Sequence, residues 1–399
     1  MRALRARWLL PIDRPVIENG WIRVDEGRIV EVGYGRPPDD AADLGDVALL
    51  PGLVNAHTHL ELSWLRGRIP PSGSMTEWIN ALLPLRAAGP SGGEAERDRA
   101  MRAAIDEMRS TGTVLVGDVS NSLASASLLA DSDLGGVIFY ELLGFNVVLD
   151  AQRVVRDAWR RVDELPKLSE WDFSVVAHAP YSVSPALFKE IGMRSREAPL
   201  SVHLAESAEE IEFLETAGGA FKRLLDRLGV YSLEWQPPRT DPAEYLHRMG
   251  YLQPGALIVH AVHLKNDALS RLRDANAVVV TCPRSNEWVG GGIPRIAQFY
   301  AAGVRVAIGT DSLASVDSLN LFDELAAMRK LAPDVTAASF LDSATRAGAK
   351  ALGRFKDYGT LSVGKRARFV VVDVPARTRD VEEYLVSGVP ASAVRRFDA

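Results

Sequence analysis

Apolar residues return in two different rhythms along the chain. Between residues 50 and 350, short and nearly continuous apolar runs alternate with longer stretches in which apolar positions recur every three or four residues. Eight such runs stand out, at 50–56, 113–118, 136–142, 172–178, 200–204, 256–261, 277–282 and 304–310. Runs this short and this apolar suit strands covered on both faces. The helical period is found at 94–110, 151–165, 185–194, 208–214, 265–275, 294–302 and 319–331. Strand–helix alternation repeated eight times predicts an α/β chain with a (β/α)8 TIM barrel over residues 50–354. An open doubly wound sheet has a similar element count. It would be favoured by a Gly-rich dinucleotide turn after the first strand, and none is present. The Gly290-Gly291-Gly292 run follows a late strand and lacks a phosphate-loop lysine, so it reads as a loop.

The two ends have a different texture. Apolar runs at 21–24 and 28–32 flank Asp25-Glu26-Gly27, a hairpin signal, and runs at 359–361 and 367–372 read as strands. Residues 1–49 and 355–399 are therefore expected to form one small composite β-sandwich. The stretch 206–255 is long for a strand–helix–strand link. Pro237, Pro238 and Pro242 break it into at least two helical pieces, and long insertions of this kind often cover the site of a barrel.

Composition narrows the function classes. With 46 Lys+Arg against 52 Asp+Glu, the formal net charge of −6 lacks the broad basic face that a phosphate backbone requires, so nucleic acid is not an expected partner. No segment offers the ~18 consecutive apolar residues of a membrane span, and the N-terminal apolar run at 8–10 is too short for a signal segment. Cys282 is the single cysteine, which excludes an intramolecular disulfide and multi-cysteine zinc sites and fits a cytoplasmic protein.

Position singles out the polar residues. The predicted strand ends carry His57 and His59, Asp118, Glu141, His178, His203, His260 with His263, Cys282 and Asp311, in that order. Of seven histidines only His247 lies elsewhere, and in a barrel these ends form the catalytic face. His57 and His59, two apart on a strand, point to the same side. A lone His-x-His pair is commonly just two exposed histidines. With His203 and Asp311 the set becomes three imidazoles and a carboxylate, suited to one divalent metal, Zn²⁺ foremost with Fe²⁺ as the alternative. Glu206 follows His203 by three residues and can serve either as a proton shuttle above the metal or as an acidic residue opening a helix. His260 is the better site candidate at its strand end, and His263 reads as surface or structural. Cys282, beside a proline, reads as packing.

At these residues the sequence resembles the amidohydrolase superfamily. Pro51-Gly52-Leu53-Val54-Asn55-Ala56-His57-Thr58-His59 is similar to its first-strand signature. His203-Leu-Ala-Glu206, Ile258-Val-His260-Ala-Val-His263 and Gly309-Thr310-Asp311-Ser312 resemble the cytosine-deaminase-like branch, which includes adenosylhomocysteine and methylthioadenosine deaminases, aminofutalosine deaminases and triazine hydrolases. The resemblance spans nearly the whole chain, the β-rich ends included. It implies that His57, His59, His203 and Asp311 hold one metal, that Asp311 takes a proton from the attacking water, that His260 steadies that water, and that Glu206 protonates a ring nitrogen. Trp78, His178, Arg284 and Ser285 are the implied or expected substrate contacts.

The expected reaction is hydrolytic deamination of an aminated, purine nucleoside-like heterocycle, with hydroxide generated at the metal attacking the amino-bearing carbon and ammonia leaving. Hydrolysis of a cyclic amide, ester or C–Cl bond on the same site is the alternative, and a non-catalytic binding barrel is a third reading. Two departures from the branch stand out. Its nucleoside deaminases place an acidic residue for ribose shortly after the tryptophan, where this chain reads Asn80-Ala-Leu-Leu-Pro-Leu-Arg86. Arg86 and Arg284 instead hint at an anionic or oxygen-rich substituent, Arg86 being the one more readily read as a surface ion pair. Second, the fourth strand lacks the lysine that binuclear members use to bridge two metals, which leaves Glu141 as a candidate bridge or a buried hydrogen-bonded carboxylate. The partner expected is a small-molecule substrate. Association into homo-oligomers is left open by the sequence.

Overall fold

The computed structural model describes residues 1–398. The chain opens with β1 (Arg2–Leu9), β2 (Ile17–Asp25), β3 (Arg28–Gly33), the short β4 (Ala42–Asp43) and β5 (Val47–Pro51). The β2–β3 turn is the expected hairpin. Glu26 and Gly27 both take positive φ (46° and 70°), which matches the right-handed twist of the strands they join.

Eight strands then follow: β6 (Leu53–Thr58), β7 (Thr113–Ser120), β8 (Gly135–Leu142), β9 (Trp171–Ala177), β10 (Ser201–Leu204), β11 (Leu257–His260), β12 (Val278–Thr281) and β13 (Arg305–Ile308). They form two parallel quartets, β6-β7-β8-β9 and β10-β11-β12-β13. Backbone bonds cross both seams. His203 N donates to His178 O (2.9 Å), and Thr310 N and Asp311 N donate to His57 O (3.1 and 3.0 Å). Finally β14 (Arg368–Asp373) and β15 (Val394–Asp398) return to β5, so strands from both ends share one seven-stranded mixed sheet. The apolar run read at 50–56 thus holds a junction. β5 pairs with the terminal sheet, β6 with the parallel quartet, and Gly52 between them sits where a Cβ would lie 2.3 Å from Val114.

The interior strands are covered on both faces, and their Val, Ile, Leu and Ala side chains fill the main core together with the helices outside. Each helix expected from the 3.6-residue rhythm forms, with ends shifted by a few residues. Several helices lie outside that reading, the longest being Met75–Ala88, whose rhythm Pro84 interrupts. Its start is nevertheless marked: the Ser74 side chain accepts from Glu77 N, a cap that fixes where Trp78 emerges. The 206–255 insertion forms three helices, Ala208–Thr216, Gly219–Arg227 and Pro242–Arg248, and Leu224, Leu225 and Leu228 from it line the central cavity. Among the described residues no helix is long and apolar enough to cross a membrane.

Gly309 lets the end of β13 approach β6. A Cβ there would lie 2.7 Å from His57 Cβ, 2.8 Å from His57 O and 3.0 Å from Cys282 Sγ. Backbone cannot yield as a flexible side chain does, so Gly309→Ala is expected to cost about 1–3 kcal/mol in denaturant unfolding. A variant as stable as the parent would show that this approach is not tight.

Candidate active site and metal centre

The strand ends converge as the topology requires. His57 ends β6, and His59 follows it by two residues; His203 lies in β10, and Asp311 follows β13. His59 Nε2 lies 3.2 Å from His57 Nε2 and 3.3 Å from His203 Nε2, and Asp311 Oδ1 lies 3.6 and 3.8 Å from the first two. Two bonds of ~2.0–2.1 Å meeting at a tetrahedral metal subtend ~3.3 Å, which is the spacing seen between these nitrogens. His203 Nδ1 donates to His178 O (3.1 Å), so the His203 lone pair is at Nε2, facing the cluster. Ring nitrogens converging in this way, with His57 buried, fit a divalent cation at their focus.

Asp311 is oriented by its surroundings. Ser285 Oγ donates to Oδ2 (2.6 Å), with Ser315 Oγ at 3.5 Å, which leaves Oδ1 toward the imidazoles. The Asp311 carbonyl accepts from Thr58 Oγ1 (2.9 Å) of β6. Asn55, also in β6, brackets the turn: its Oδ1 accepts from Thr310 N and its amide donates to Thr310 Oγ1. Ala205, His260, Ala261 and Asp311 all take positive φ (52°, 72°, 54° and 60°). Left-handed backbone at non-glycine residues costs energy and persists where packing over-determines it. Here it re-aims three chain segments at one point.

Glu206 is displayed by a buried carboxylate that the sequence reading passed over. Glu210 Oε1 and Oε2 accept from Ala205 N (2.9 Å) and Glu206 N (3.0 Å), while Ser207 caps the helix that follows by accepting from Glu210 N. The signal was in the sequence as Ser207-x-x-Glu210, a capping spacing. Glu206 Oε1 then lies 3.4 Å from His260 Nε2. Asn286 is the other residue missed. Its amide Nδ2 donates to His260 Nδ1 (2.9 Å), which leaves the ring proton on Nε2, on the Glu206 side.

Burial sets the charge states. It is the first cause holding the imidazoles neutral, with neighbouring positive charges adding to it: His59 and His178 are lowered to about 3 and His203 to about 4, and His57 and His260 fall well below the ordinary value. Neutral imidazole is the ligand form. Burial, then the charges of Asp311 and Glu210, push the Glu206 carboxyl well above its usual range, which favours the protonated form that can donate. Asp311 is also raised by burial, with the Ser285 hydrogen bond pulling the other way.

The cavity over this cluster encloses about 910 Å³, open mouth included. Trp78 and His178 line it, as do His59, His203, Glu206, His260 and Asp311. Ser182 Oγ donates to Ala179 O (3.1 Å) and therefore accepts from His178 Nδ1 (2.6 Å), which leaves His178 Nε2 as an acceptor. Two expected substrate contacts are placed elsewhere. Arg284 bonds to Ser318, Asp317 and Glu324 and is not in the cavity wall, because the acids after β13 draw its guanidinium away. Ser285 is spent on Asp311. The arginine in the wall is Arg86, whose bond goes to the neutral Asn121 Oδ1 (3.0 Å) rather than to an acid. Glu141 is a buried carboxylate that accepts from Asn121 Nδ2 (2.9 Å) and stands 3.4 Å from His203 Nδ1, the ring nitrogen turned away from the three-imidazole cluster. Asp118 accepts from Leu60 N (2.9 Å) and His263 donates to Gly291 O (2.6 Å), both structural. Cys282 is a buried thiol whose pKa burial raises well above the usual value.

Residues 48–394 match the amidohydrolase family. The chain is 28% identical to the 5-methylthioadenosine/S-adenosylhomocysteine deaminase of Moorella thermoacetica over 97% of its length and 90% of the relative's. It is 31% identical to the aminodeoxyfutalosine deaminase of Deinococcus radiodurans, covering 79% of this chain and 76% of that one. Among solved structures, the aminofutalosine deaminase of Helicobacter pylori in complex with methylthio-coformycin superposes with a TM-score of 0.81 at 26% identity, over 97% of this chain and 95% of that one. An adenosine deaminase of Xanthomonas campestris with bound zinc does so at 0.79 and 25%, over 98% and 90%. With the match running from residue 48 to residue 394 and relatives aligned along almost the entire length, the chain belongs to the amidohydrolase family.

Proposed function

We propose that this hydrolase deaminates an aminated, purine nucleoside-like heterocycle, and that its eight parallel strands close into a (β/α)8 barrel with the terminal sheet as a β-sandwich beside it. The seam bonds at His178–His203 and His57–Asp311 support the closure. The observation that carries the reaction is the buried Glu206 carboxyl held 3.4 Å from His260 beside three convergent imidazoles, in surroundings that raise its pKa. A ring nitrogen next to an amino-bearing carbon needs a proton as charge develops on it, and a neutral carboxyl at that place supplies one. The names of the relatives support the same chemistry.

His57, His59, His203 and Asp311 would hold the metal, which we take to be one zinc ion. When bound it supplies Lewis-acid activation of water. Asp311 accepts a proton at Oδ1, its other oxygen being tied to Ser285. His260 Nε2–H steadies the oxygen of the attacking water. Glu206 delivers its proton to the ring nitrogen. The amino group then takes the proton held by Asp311, the C–N bond breaks to release ammonia, and the new hydroxyl returns a proton to Glu206 as the carbonyl forms. Trp78 and His178, in the cavity wall, contact the ring, with His178 Nε2 available to accept from a ring N–H.

The test is ammonia release by the metal-loaded protein from adenosine and 5′-substituted adenosines. Release is the expected result. Silence across the series, together with turnover of a chloro- or methoxytriazine, would move the assignment to another bond. The tautomer argument adds a second expectation. Asn286→Ala unties His260, and kcat should fall about 10- to 100-fold while metal content stays at the parent level. A variant with parental kcat would remove Asn286 from the positioning role.

A further inference from the structure

We propose that the cavity has a second arm, lined by Arg86 and Arg97, that takes an anionic group on the tail of the substrate. The idea deepens the deaminase reading and rests on it for the identity of the ring, though not for the anion site itself. A side pocket of about 620 Å³, open mouth included, adjoins the main cavity, and His59, Leu62, Arg86 and Asn121 line both. Arg97, from the helix Gly93–Ser110, and Ser122 line only the side pocket.

Charge pairing is what marks this pocket. The nearby arginines are matched: Arg66 bonds to Glu107, and Arg68 to Glu96 at 2.7 Å. Among the described residues neither Arg86 nor Arg97 has a carboxylate within 4.0 Å, and the hydrogen bond of Arg86 goes to a neutral amide. Glu96, next to Arg97 in the chain, is engaged on both oxygens, by Arg68 and by Gly92 N. The one acid in the pocket wall, Glu61, is occupied by the loop beside it. Its carboxylate accepts from Ser120 Oγ, from Asn121 N (3.1 Å), from Ser122 Oγ (2.7 Å) and from Ala124 N (3.1 Å). In the side-pocket wall two guanidiniums stand against one satisfied carboxylate and keep free donors; the next acid, Glu141 in the main cavity, is buried and bonded to Asn121. Guanidinium forks match a carboxylate or a phosphate. Leu62, Trp64 and Val119 add an apolar wall for the part of the tail that reaches the anion. With the ring at the imidazole cluster, the tail would run past Leu62 and Arg86 into this arm.

Three adenosines that differ only at the 5′ position test it on the metal-loaded full chain: methylthio, carboxymethylthio and phosphate. The parent protein is expected to favour one anionic nucleoside over the neutral one in kcat/KM by about 10-fold or more, the size of one charge-assisted hydrogen bond. The better of the two anions separates carboxylate from phosphate. In Arg86→Gln and Arg97→Gln that ratio should collapse toward one through KM, with melting temperature and metal content at the parental values. Equal kcat/KM for neutral and anionic nucleosides in the parent, or a preference that survives both substitutions, overturns the proposal. If the loaded protein deaminates none of the three, the deaminase reading fails, and calorimetry decides the pocket separately. Benzoate or inorganic phosphate binding to the parent and lost in Arg97→Gln upholds the anion site, and absence of heat in the parent rejects it.

Discussion

Glu206→Gln is expected to lower kcat for deamination about 10³-fold, within the range that loss of a positioned acid costs. The amide keeps the size of the side chain and can still donate a hydrogen bond to a ring nitrogen, so KM should stay within a few-fold of the parent. It cannot transfer a proton. Glu206 is not one of the four groups proposed to hold the metal, so metal content should not change. The pH profile gives a second readout. Burial and the charges of Asp311 and Glu210 raise the Glu206 pKa, so the protonated form persists above the usual carboxyl range and is lost as pH climbs through the raised value. The parent kcat should therefore fall on the alkaline side, and the Gln variant should lack that limb. Turnover undiminished by the substitution would reject the shuttle role outright. A loss of activity accompanied by loss of metal would instead place Glu206 among the ligands.

Much of the candidate site was legible because parallel strands convert chain position into spatial position. His57, His203 and Asp311 are far apart in sequence, yet each falls at or just past the end of an apolar run, and the parallel strands gather those ends on one face. What stayed hidden depended on side-chain direction. Arg284 follows β12 as closely as a pocket residue should, but Asp317 and Glu324 draw its guanidinium outward, and that competition is long-range. Arg86 was the reverse case. It read either as facing an anionic substituent or, more readily, as a surface ion pair, and the helix carrying it was obscured by Pro84, so local pattern did not decide for its place in the cavity wall. Glu210 and Asn286 were overlooked for a third reason. Neither touches the reacting atoms, and each acts by fixing a neighbour that does, a role that appears only when hydrogen-bond partners are known. The break at Gly52 was lost inside a continuous apolar run, since β5 and β6 are equally buried while belonging to different sheets.

Removing the metal with a chelator is expected to abolish activity and to lower the melting temperature, with both restored by Zn²⁺. A ligand that binds only the folded state stabilises it by about 2.7 kcal/mol at a hundredfold excess over Kd, so chelation withdraws an amount of that order. The pH dependence of metal binding is the sharper test. Ordinary histidines compete with a metal for protons near ~6.5, and three of them would give a steep dependence below neutrality. Here burial has already lowered His59 to about 3, His203 to about 4 and His57 further, so their lone pairs are free of protons throughout the neutral range. Among the four groups only Asp311 is shifted upward, by burial, so it is the one whose proton competes with the metal. Between about pH 5 and 8, log Kd measured by calorimetry should therefore change by no more than about one unit per pH unit. A slope of two or three would mean that the imidazoles are protonated in the metal-free protein, and that the site is assembled by the metal rather than standing ready for it.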